Sequence, residues 1–123
     1  MKPVAVISGG TRGIGLAVAK RLKASHDVVV IGRNPTTLQE VEQTLGVRGL
    51  QLDLAVPDSI EEAAKSLALD RVDVLIHSAG VLFTGNLEET TTEAFEQSLT
   101  VNVTAVASLT RALLRPLEEA GGK

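Results

Sequence analysis

Four short apolar runs alternate with longer amphipathic segments along the chain, and this alternation restricts the fold more than any other feature. The runs are rich in β-branched residues and are bounded by glycine or polar residues, a pattern typical of buried strands. They cover Pro3–Ser8, Asp27–Ile31, Arg48–Asp53 and Val72–Ile76. Because strands joined through helices lie parallel with right-handed crossovers, the sequence predicts an open α/β sheet of pattern βαβαβαβα.

The segments between the runs carry helical periodicity and helix-end signals. They cover Ile14–Ser25, Pro35–Leu45, Pro57–Leu67 and a long segment from about Thr91 towards Glu119. Asn34 followed by proline predicts a capped helix start, and Gly46 a helix end. Pro116 should kink or end the last helix early. Two further starts have capping-box spacing, at Ser59 with Glu62 and at Thr90 with Glu93.

The composition fits one globular domain and excludes several classes of function. The 123 residues are 44% hydrophobic and 22% charged, enough to form a single core. A net charge of −3 gives no attraction to nucleic acid or to an anionic membrane. No apolar run approaches the ~20 residues of a membrane span, and the absence of cysteine excludes thiolate chemistry. The first apolar stretch is too short for a signal peptide, so we expect a cytoplasmic location.

A glycine-rich loop, Ser8–Gly15 (SGGTRGIG), lies between the first predicted strand and the first predicted helix. Glycines let the backbone approach a pyrophosphate, and the helix N-terminus offers unpaired N–H groups. A P-loop would need Lys and Ser or Thr where Leu16 and Ala17 stand. A phosphoaccepting receiver domain would need acidic residues where Ser8 and Gly9 stand. A tight turn without a ligand remains the structural alternative.

Three motifs in order resemble those of the short-chain dehydrogenase/reductase family. The glycine loop is similar to the family's Thr-Gly-x-x-x-Gly-x-Gly, with Ser8 in the threonine place. Residues 77–80 (HSAG) resemble Asn-Asn-Ala-Gly, with His77 replacing the first asparagine, and residues 101–103 (VNV) resemble the segment that carries a helix asparagine. The resemblance implies a Rossmann-like sheet of strand order 3-2-1-4, truncated relative to the family. Residues 1–123 would then form a dinucleotide-binding half-domain.

The resemblance also implies which residues bind the cofactor. The residues are Ser8, Gly9, Thr11, Arg12, Gly13, Ile14 and Gly15 in the loop, then Arg33, Asn34, Asp53, Leu54, Ala79 and Gly80 after the later strands. Asp53 would accept from the adenine amino group, Leu54 would supply a backbone contact, and residues 79–80 would let the ribose lie close. The structural alternatives are a charge that favours the next helix, for Asp53, and a tight turn, for residues 79–80. No metal site is indicated, since His77 and the only other histidine lie in different turns.

The end of the second predicted strand indicates NADP(H) rather than NAD(H). Folds that prefer NAD place an acid there, against the ribose 2′-hydroxyl, whereas Gly32, Arg33 and Asn34 stand here. Arg33, with Arg12 on the same side by resemblance, can meet a 2′-phosphate through charge-assisted hydrogen bonds worth about 1.5–3 kcal/mol each. The alternative is that both arginines are only solvated.

Asn102 interrupts an apolar stripe in the long predicted helix. The stripe has helical spacing and contains Phe95, Leu99, Asn102, Val106, Leu109 and Leu113. The spacing predicts that Asn102 is buried, and a buried amide needs a hydrogen-bond partner. In the family this asparagine helps to hold a water and a local helix irregularity beside the active site, which implies an accessory catalytic role. The alternative is a structural hydrogen bond to the neighbouring strand.

The residues that perform the family's hydride transfer are a serine and a Tyr-x-x-x-Lys, and the chain contains no tyrosine. We therefore expect it to bind nicotinamide dinucleotide, but to act on a carbonyl or alcohol substrate only within a complete enzyme. Truncation would leave Val72–Ile76 as an unprotected edge, so we expect a homo-oligomer formed through this edge or the last helix. A non-enzymatic nucleotide-binding module and a self-associating structural fragment remain the alternative functions.

Overall fold

The computed structural model describes Met1–Lys123 and contains a four-stranded parallel sheet of order β3-β2-β1-β4. The strands are β1 (Val4–Ser8), β2 (Asp27–Gly32), β3 (Arg48–Gln51) and β4 (Val74–His77). The predicted fold class and strand order are therefore confirmed. β3 stops before Asp53, and β4 starts after Val72, whose N–H bonds to the Pro116 carbonyl instead of to β1.

Six α-helices connect and cover the strands: α1 (Gly13–Leu22), α2 (Pro35–Leu45), α3 (Ile60–Ser66), α4 (Thr92–Leu99), α5 (Ala105–Ala112) and α6 (Leu114–Ala120). A 3₁₀ turn at Pro57–Ser59 precedes α3, and a π-helical segment at Thr100–Thr104 joins α4 to α5. The single long helix predicted at the end of the chain is thus three α-helices with one π-helical joint. No helix combines the length and the apolar character needed to cross a membrane.

Two apolar cores lie on opposite faces of the sheet. Val6 and Ile31 pack with Leu109 and with residues of α3, whereas Ile7 and Val30 pack with residues of α1 and α2. Neighbouring residues of one strand therefore enter different cores, as expected for a parallel sheet covered on both faces. Both faces are occupied by helices, so the carboxyl end of the sheet is left for the connecting loops.

The predicted ends of α2 are confirmed. Asn34 precedes the helix in an extended conformation, and its Oδ1 accepts the N–H groups of Thr36 and Thr37 at 3.0 and 3.2 Å. Gly46 follows the helix in the left-handed conformation, with φ of 68°. A side chain with a Cβ would be strained at Gly46, which explains the glycine.

Both predicted capping boxes are wrong. Thr91, not Thr90, caps α4, because its Oγ1 accepts the Ala94 N–H at 3.1 Å while the Thr90 hydroxyl donates to Asn86. The Ser59 hydroxyl donates to the Val56 carbonyl within the 3₁₀ turn and makes no cap. In both places the serine or threonine forms a hydrogen bond within the preceding turn, which competes with capping.

The break in the last helix comes just before Pro116. Leu113 leaves the helical conformation at φ −103° and ψ 8°, and Pro116 lies in the first turn of α6. A residue in the first turn has no intrahelical partner for its N–H, so proline is tolerated there.

The outer edge of β4 is partly covered by the last residue of the chain. The Lys123 N–H donates to the Asp73 carbonyl at 2.9 Å, and the Leu75 N–H donates to the Lys123 carbonyl at 2.8 Å. The expectation of a wholly unprotected edge is therefore wrong at these two residues. Lys123 alone, paired as a strand residue would be, bonds to both Asp73 and Leu75.

Candidate functional site

The loops that follow the four strands enclose a cleft of about 440 Å³ at the carboxyl end of the sheet. Parallel strands bring their carboxyl ends to one edge, and ligands of open α/β sheets bind there. The sequence-predicted residues that line the cleft are Gly9, Thr11, Arg12, Gly13, Ile14, Arg33, Asn34, Asp53, Leu54, Ala79 and Gly80. Residues widely separated in the sequence thus share one concave surface.

Ser8, Gly15 and Asn102 were also predicted as site residues, but they lie outside the lining of the cleft. Ser8 is buried at the end of β1, where its hydroxyl accepts the Ala79 N–H at 3.3 Å and its carbonyl accepts the Ser78 N–H at 3.2 Å. These bonds hold the loop after β4 against the end of β1. Ser8 therefore supports the wall of the cleft rather than forming it.

The glycine loop passes directly over the start of α1. A Cβ on Gly15 would lie 2.8 Å from the Gly9 carbonyl carbon and closer still to its oxygen. Gly9 has φ of 65°, and a Cβ on it would lie 2.6 Å from the Ala79 nitrogen. Glycine at these two positions lets the loop lie between the helix and the end of β4.

The N-terminus of α1 reaches the cleft without a capping side chain. The N-cap residue is Arg12, in an extended conformation, and its side chain accepts no backbone N–H. The first turn contains no acidic residue. The first N–H groups of a helix have no intrahelical partner, and the helix dipole makes this end positive. The arrangement can hold an anion at this end of the cleft.

Two cationic side chains add to this positive character. Arg12 and Arg33 both line the cleft and are exposed. Neither forms an ion pair, since the structure contains only the pairs Lys65–Glu61 and Arg71–Asp73. The one carboxylate in the lining is Asp53, whose Oδ1 accepts the Ala55 N–H at 2.9 Å. The lining of the cleft thus combines an uncapped helix start and two unpaired arginines with a single carboxylate.

Nine lining residues were not predicted: Ile31, Gly32, Thr37, Leu52, Ala55, Ser78, Val81, Gln97 and Val101. Most lie within a few positions of a predicted residue. Gln97 is different, because it comes from α4 and approaches the cleft only through the packing of that helix. No spacing in the sequence marks it.

The family model described as short chain dehydrogenase matches residues 3–123. The chain belongs to the short-chain dehydrogenase family. It is 30% identical over 118 residues to an uncharacterized short-chain type dehydrogenase/reductase of Sinorhizobium fredii, covering 94% of this chain and 46% of that protein. It is 34% identical to the mouse dehydrogenase/reductase SDR family member 4, covering 97% of this chain and 46% of that protein.

A solved structure shows the same agreement in three dimensions. A metagenomic short-chain oxidoreductase in complex with NADP matches with a TM-score of 0.88 and 31% identity, over 98% of this chain and 58% of that one. The chain spans about half the length of the curated relatives it matches, with covered shares from 46% to 50% of their length. The matched half contains all four strands described above.

The helix asparagine of the family motif lies in the π-helical segment between α4 and α5. Asn102 is exposed, not buried as predicted, and its amide bonds twice to Val81: Oδ1 accepts the N–H and Nδ2 donates to the carbonyl, both at 2.9 Å. The π-helical joint changes the buried positions, which are Val101, Ala105, Leu109 and Leu113. Asn102 therefore fixes the loop after β4 beside Gly80.

Phe95 and Leu99, the other end of the predicted stripe, are 48% and 61% exposed. α4 contains no buried residue. The sheet ends at β4, so no strand covers this face of α4. The predicted stripe is correct at Leu109 and Leu113, whereas its first half has no partner within the chain.

His77, the departure from the family motif, joins β4 to α5. Its Nε2 lies 2.9 Å from the Thr110 Oγ1, and the Thr110 hydroxyl donates its one hydrogen to the Val106 carbonyl at 2.7 Å. Thr110 can then only accept from the histidine, which assigns the hydrogen to Nε2. Burial lowers the pKa of His77, so the neutral ring is favoured. His77 thus stabilises the wall behind the cleft.

Proposed function

We propose that this chain is the NADP(H)-binding half-domain of a short-chain oxidoreductase, residues 1–123. In the complete enzyme, a hydride would pass between the nicotinamide and a carbonyl or alcohol substrate. The observation that carries the proposal is the positive character of the cleft, which is lined by the uncapped start of α1 and by Arg12 and Arg33, neither of which forms an ion pair. The similarity to a family member in complex with NADP supports it.

The residues of the cleft fit a dinucleotide phosphate. Around the Cβ position of Gly13 no heavy atom lies within 4 Å, so the first turn of α1 is open to a ligand. A pyrophosphate there would accept hydrogen bonds from the N–H groups of that turn. Arg33, just after β2, would bind a 2′-phosphate as a planar cation. The free carboxylate oxygen of Asp53 would accept from the adenine amino group.

The cofactor, when bound, supplies or accepts the hydride. The chain's own contribution is to hold the adenosine side of the molecule and to orient it along the loops after β1 to β4. Tyrosine is absent from the 123 residues, so the family's acid–base residue is not among them. We therefore propose that the chain alone transfers no hydride, and turnover by the purified chain would contradict this.

The test of cofactor preference is a titration with NADPH and, in parallel, NADH, followed by nucleotide fluorescence. One charge-assisted contact to the 2′-phosphate corresponds to a preference for NADPH of about 10- to 150-fold. Arg33→Ala should remove most of that preference. The control is Arg21→Ala, which deletes an exposed arginine in the last turn of α1, outside the cleft. Equal affinities of the unmodified chain for the two nucleotides would refute the proposal.

We also propose that the chain self-associates. Phe95, Leu99 and Val103 expose 48%, 61% and 58% of their surface on consecutive turns from α4 into the π-helical segment. Neighbouring exposed apolar side chains favour association. The molar mass from light scattering at high concentration measures this, and a monomeric mass would contradict it.

A further inference from the structure

We propose that Thr11 takes part in cofactor selection by filling the space that an acidic side chain at the end of β2 would need. The inference rests on the proposed dinucleotide function of the cleft. It adds a pair of positions, Thr11 and Gly32, to the contact proposed for Arg33, and all three residues line the cleft. The Thr11 side chain occupies the space that a side chain at position 32 would need, and Gly32 itself has no side chain.

The geometry at Gly32 carries the argument. A Cβ there would lie 2.7 Å from the Thr11 Cγ2, whereas the Leu38 Cδ1 is at 3.6 Å and the Thr11 Oγ1 at 3.7 Å. Ordinary van der Waals contact begins at 3.4 Å, so only the Thr11 methyl group conflicts. Gly32 is not among the glycines with positive φ, so its backbone conformation itself admits an L side chain. Removing one methyl group would therefore open the position.

The loop segment that precedes Thr11 is closely packed, which limits how far the loop can shift to relieve the conflict. A Cβ on Gly10, next to Thr11, would already lie 2.7 Å from the Val30 Cγ1, and one on Gly9 would lie 2.6 Å from the Ala79 nitrogen. The backbone just before Thr11 thus packs directly against β2 and the loop after β4. Threonine is branched at Cβ and stiff about χ1, which limits escape by rotation.

This packing has a consequence for selection. Folds that recognise NAD use a carboxylate at the end of the second strand, against the ribose 2′-hydroxyl. Here an aspartate at Gly32 would be pushed out of that position by Thr11. It would repel the 2′-phosphate of NADPH without reaching the 2′-hydroxyl of NADH. Thr11 therefore determines whether an acidic side chain at the end of β2 can reach the ribose 2′-hydroxyl.

A stability cycle tests the contact without any nucleotide. The variants are Gly32→Ala, Thr11→Ser and the double variant, because serine keeps the hydroxyl and removes only Cγ2. Overpacking lowers stability, and we expect Gly32→Ala to lower Tm by about 4–8 °C. In the Thr11→Ser background the same change should leave Tm unaltered or raise it. An equal effect in both backgrounds would overturn the proposal.

The selection itself is tested with NADPH and NADH on Gly32→Asp, with and without Thr11→Ser. We expect Gly32→Asp alone to weaken NADPH without tightening NADH, and the double variant to bind NADH about tenfold tighter than Gly32→Asp alone. Tight NADH binding by Gly32→Asp alone would overturn the proposal. If Gly32→Asp fails to fold, recovery of folding in the double variant supports it and no recovery overturns it.

The two sets of measurements separate this inference from the function on which it rests. If the unmodified chain binds neither nucleotide, the proposed function fails, and the selection by Thr11 fails with it. The stability cycle would still measure the contact between Thr11 and Gly32. If the unmodified chain prefers NADPH but the cycle shows no coupling, only the role of Thr11 is refuted.

Discussion

Gly15→Ala adds one methyl group at the place where the glycine loop crosses the start of α1. The new Cβ would lie 2.8 Å from the Gly9 carbonyl carbon and 3.0 Å from the Gly10 Cα, inside the 3.4 Å at which ordinary contact begins. Gly9 cannot retreat, because its other side already faces the Ala79 backbone. Both obstacles are main chain, so no rotamer change relieves them. We therefore expect the upper part of the usual cost of overpacking, about 3 kcal/mol.

That cost can be converted into a melting temperature. Unfolding entropy near 60 °C is about 2.1 cal/mol/K per residue, or about 0.26 kcal/mol/K for a chain of this length, so the expected decrease in Tm is about 12 °C. The assay is thermal unfolding followed by circular dichroism. NADPH binding should fall with it, because the displaced loop no longer lies against the first turn of α1.

Gly13→Ala is the matched control for this prediction. Gly13 has φ of 57°, but nothing lies within 4 Å of its Cβ position. The left-handed conformation at this position lowers the folding stability of the alanine variant by about 1–2 kcal/mol. The lower conformational entropy of its unfolded chain offsets part of this loss. Its Tm should fall by a few degrees only. If Gly15→Ala lowers Tm no more than Gly13→Ala does, the crossing of loop and helix described here is wrong.

Three further predictions concern residues around the cleft and at the far end of the sheet. Asn34→Ala removes the two cap hydrogen bonds of α2, and chemical denaturation should show a loss of about 1 kcal/mol, with Asn34→Asp as the conservative control. Asn102→Ala removes both bonds to Val81, and amide hydrogen exchange at Val81 should become faster while β1 stays protected. The hydrogen bond from the Arg71 guanidinium holds the pKa of the Asp73 carboxyl below its ordinary value. The folding stability that this pair adds is therefore present at a pH above the ordinary pKa of aspartate, and it is lost as the pH falls below about 4. Tm measured against pH should show a shallower acid decrease in Asp73→Asn, and an unchanged profile would contradict the pairing.

Much of the site follows from the sequence because it depends on strand ends. Once four parallel strands are recognised, the residues just after them, such as Gly9, Arg33, Asp53 and Ala79, must meet at one edge. Their common cleft needs no knowledge of side-chain packing. The cap at Asn34 is equally local, since a residue type and the following proline determine it.

Apart from the capping boxes, which competing local hydrogen bonds displace, the errors concern a helix irregularity and contacts between distant segments. The burial of Asn102 was inferred from a regular helical period, but the π-helical joint changes the period at that very residue. Gln97 lines the cleft because of where α4 lies, which no local pattern records. The pairing of Lys123 with β4 likewise joins segments that are far apart in the sequence.

Val4 pairs with two segments at different distances along the chain. Its hydrogen bonds to Asp73 connect residues 69 positions apart. Its pairing with Asp27 on β2 closes a loop about a third as long. Closing the longer loop costs about 1 kcal/mol more than closing one a third as long. The order of assembly during folding should reflect this difference, with β1, β2 and β3 joining first and β4 arriving with α5. In a refolding experiment with pulsed hydrogen exchange, amides of β2 should therefore gain protection before those of β4.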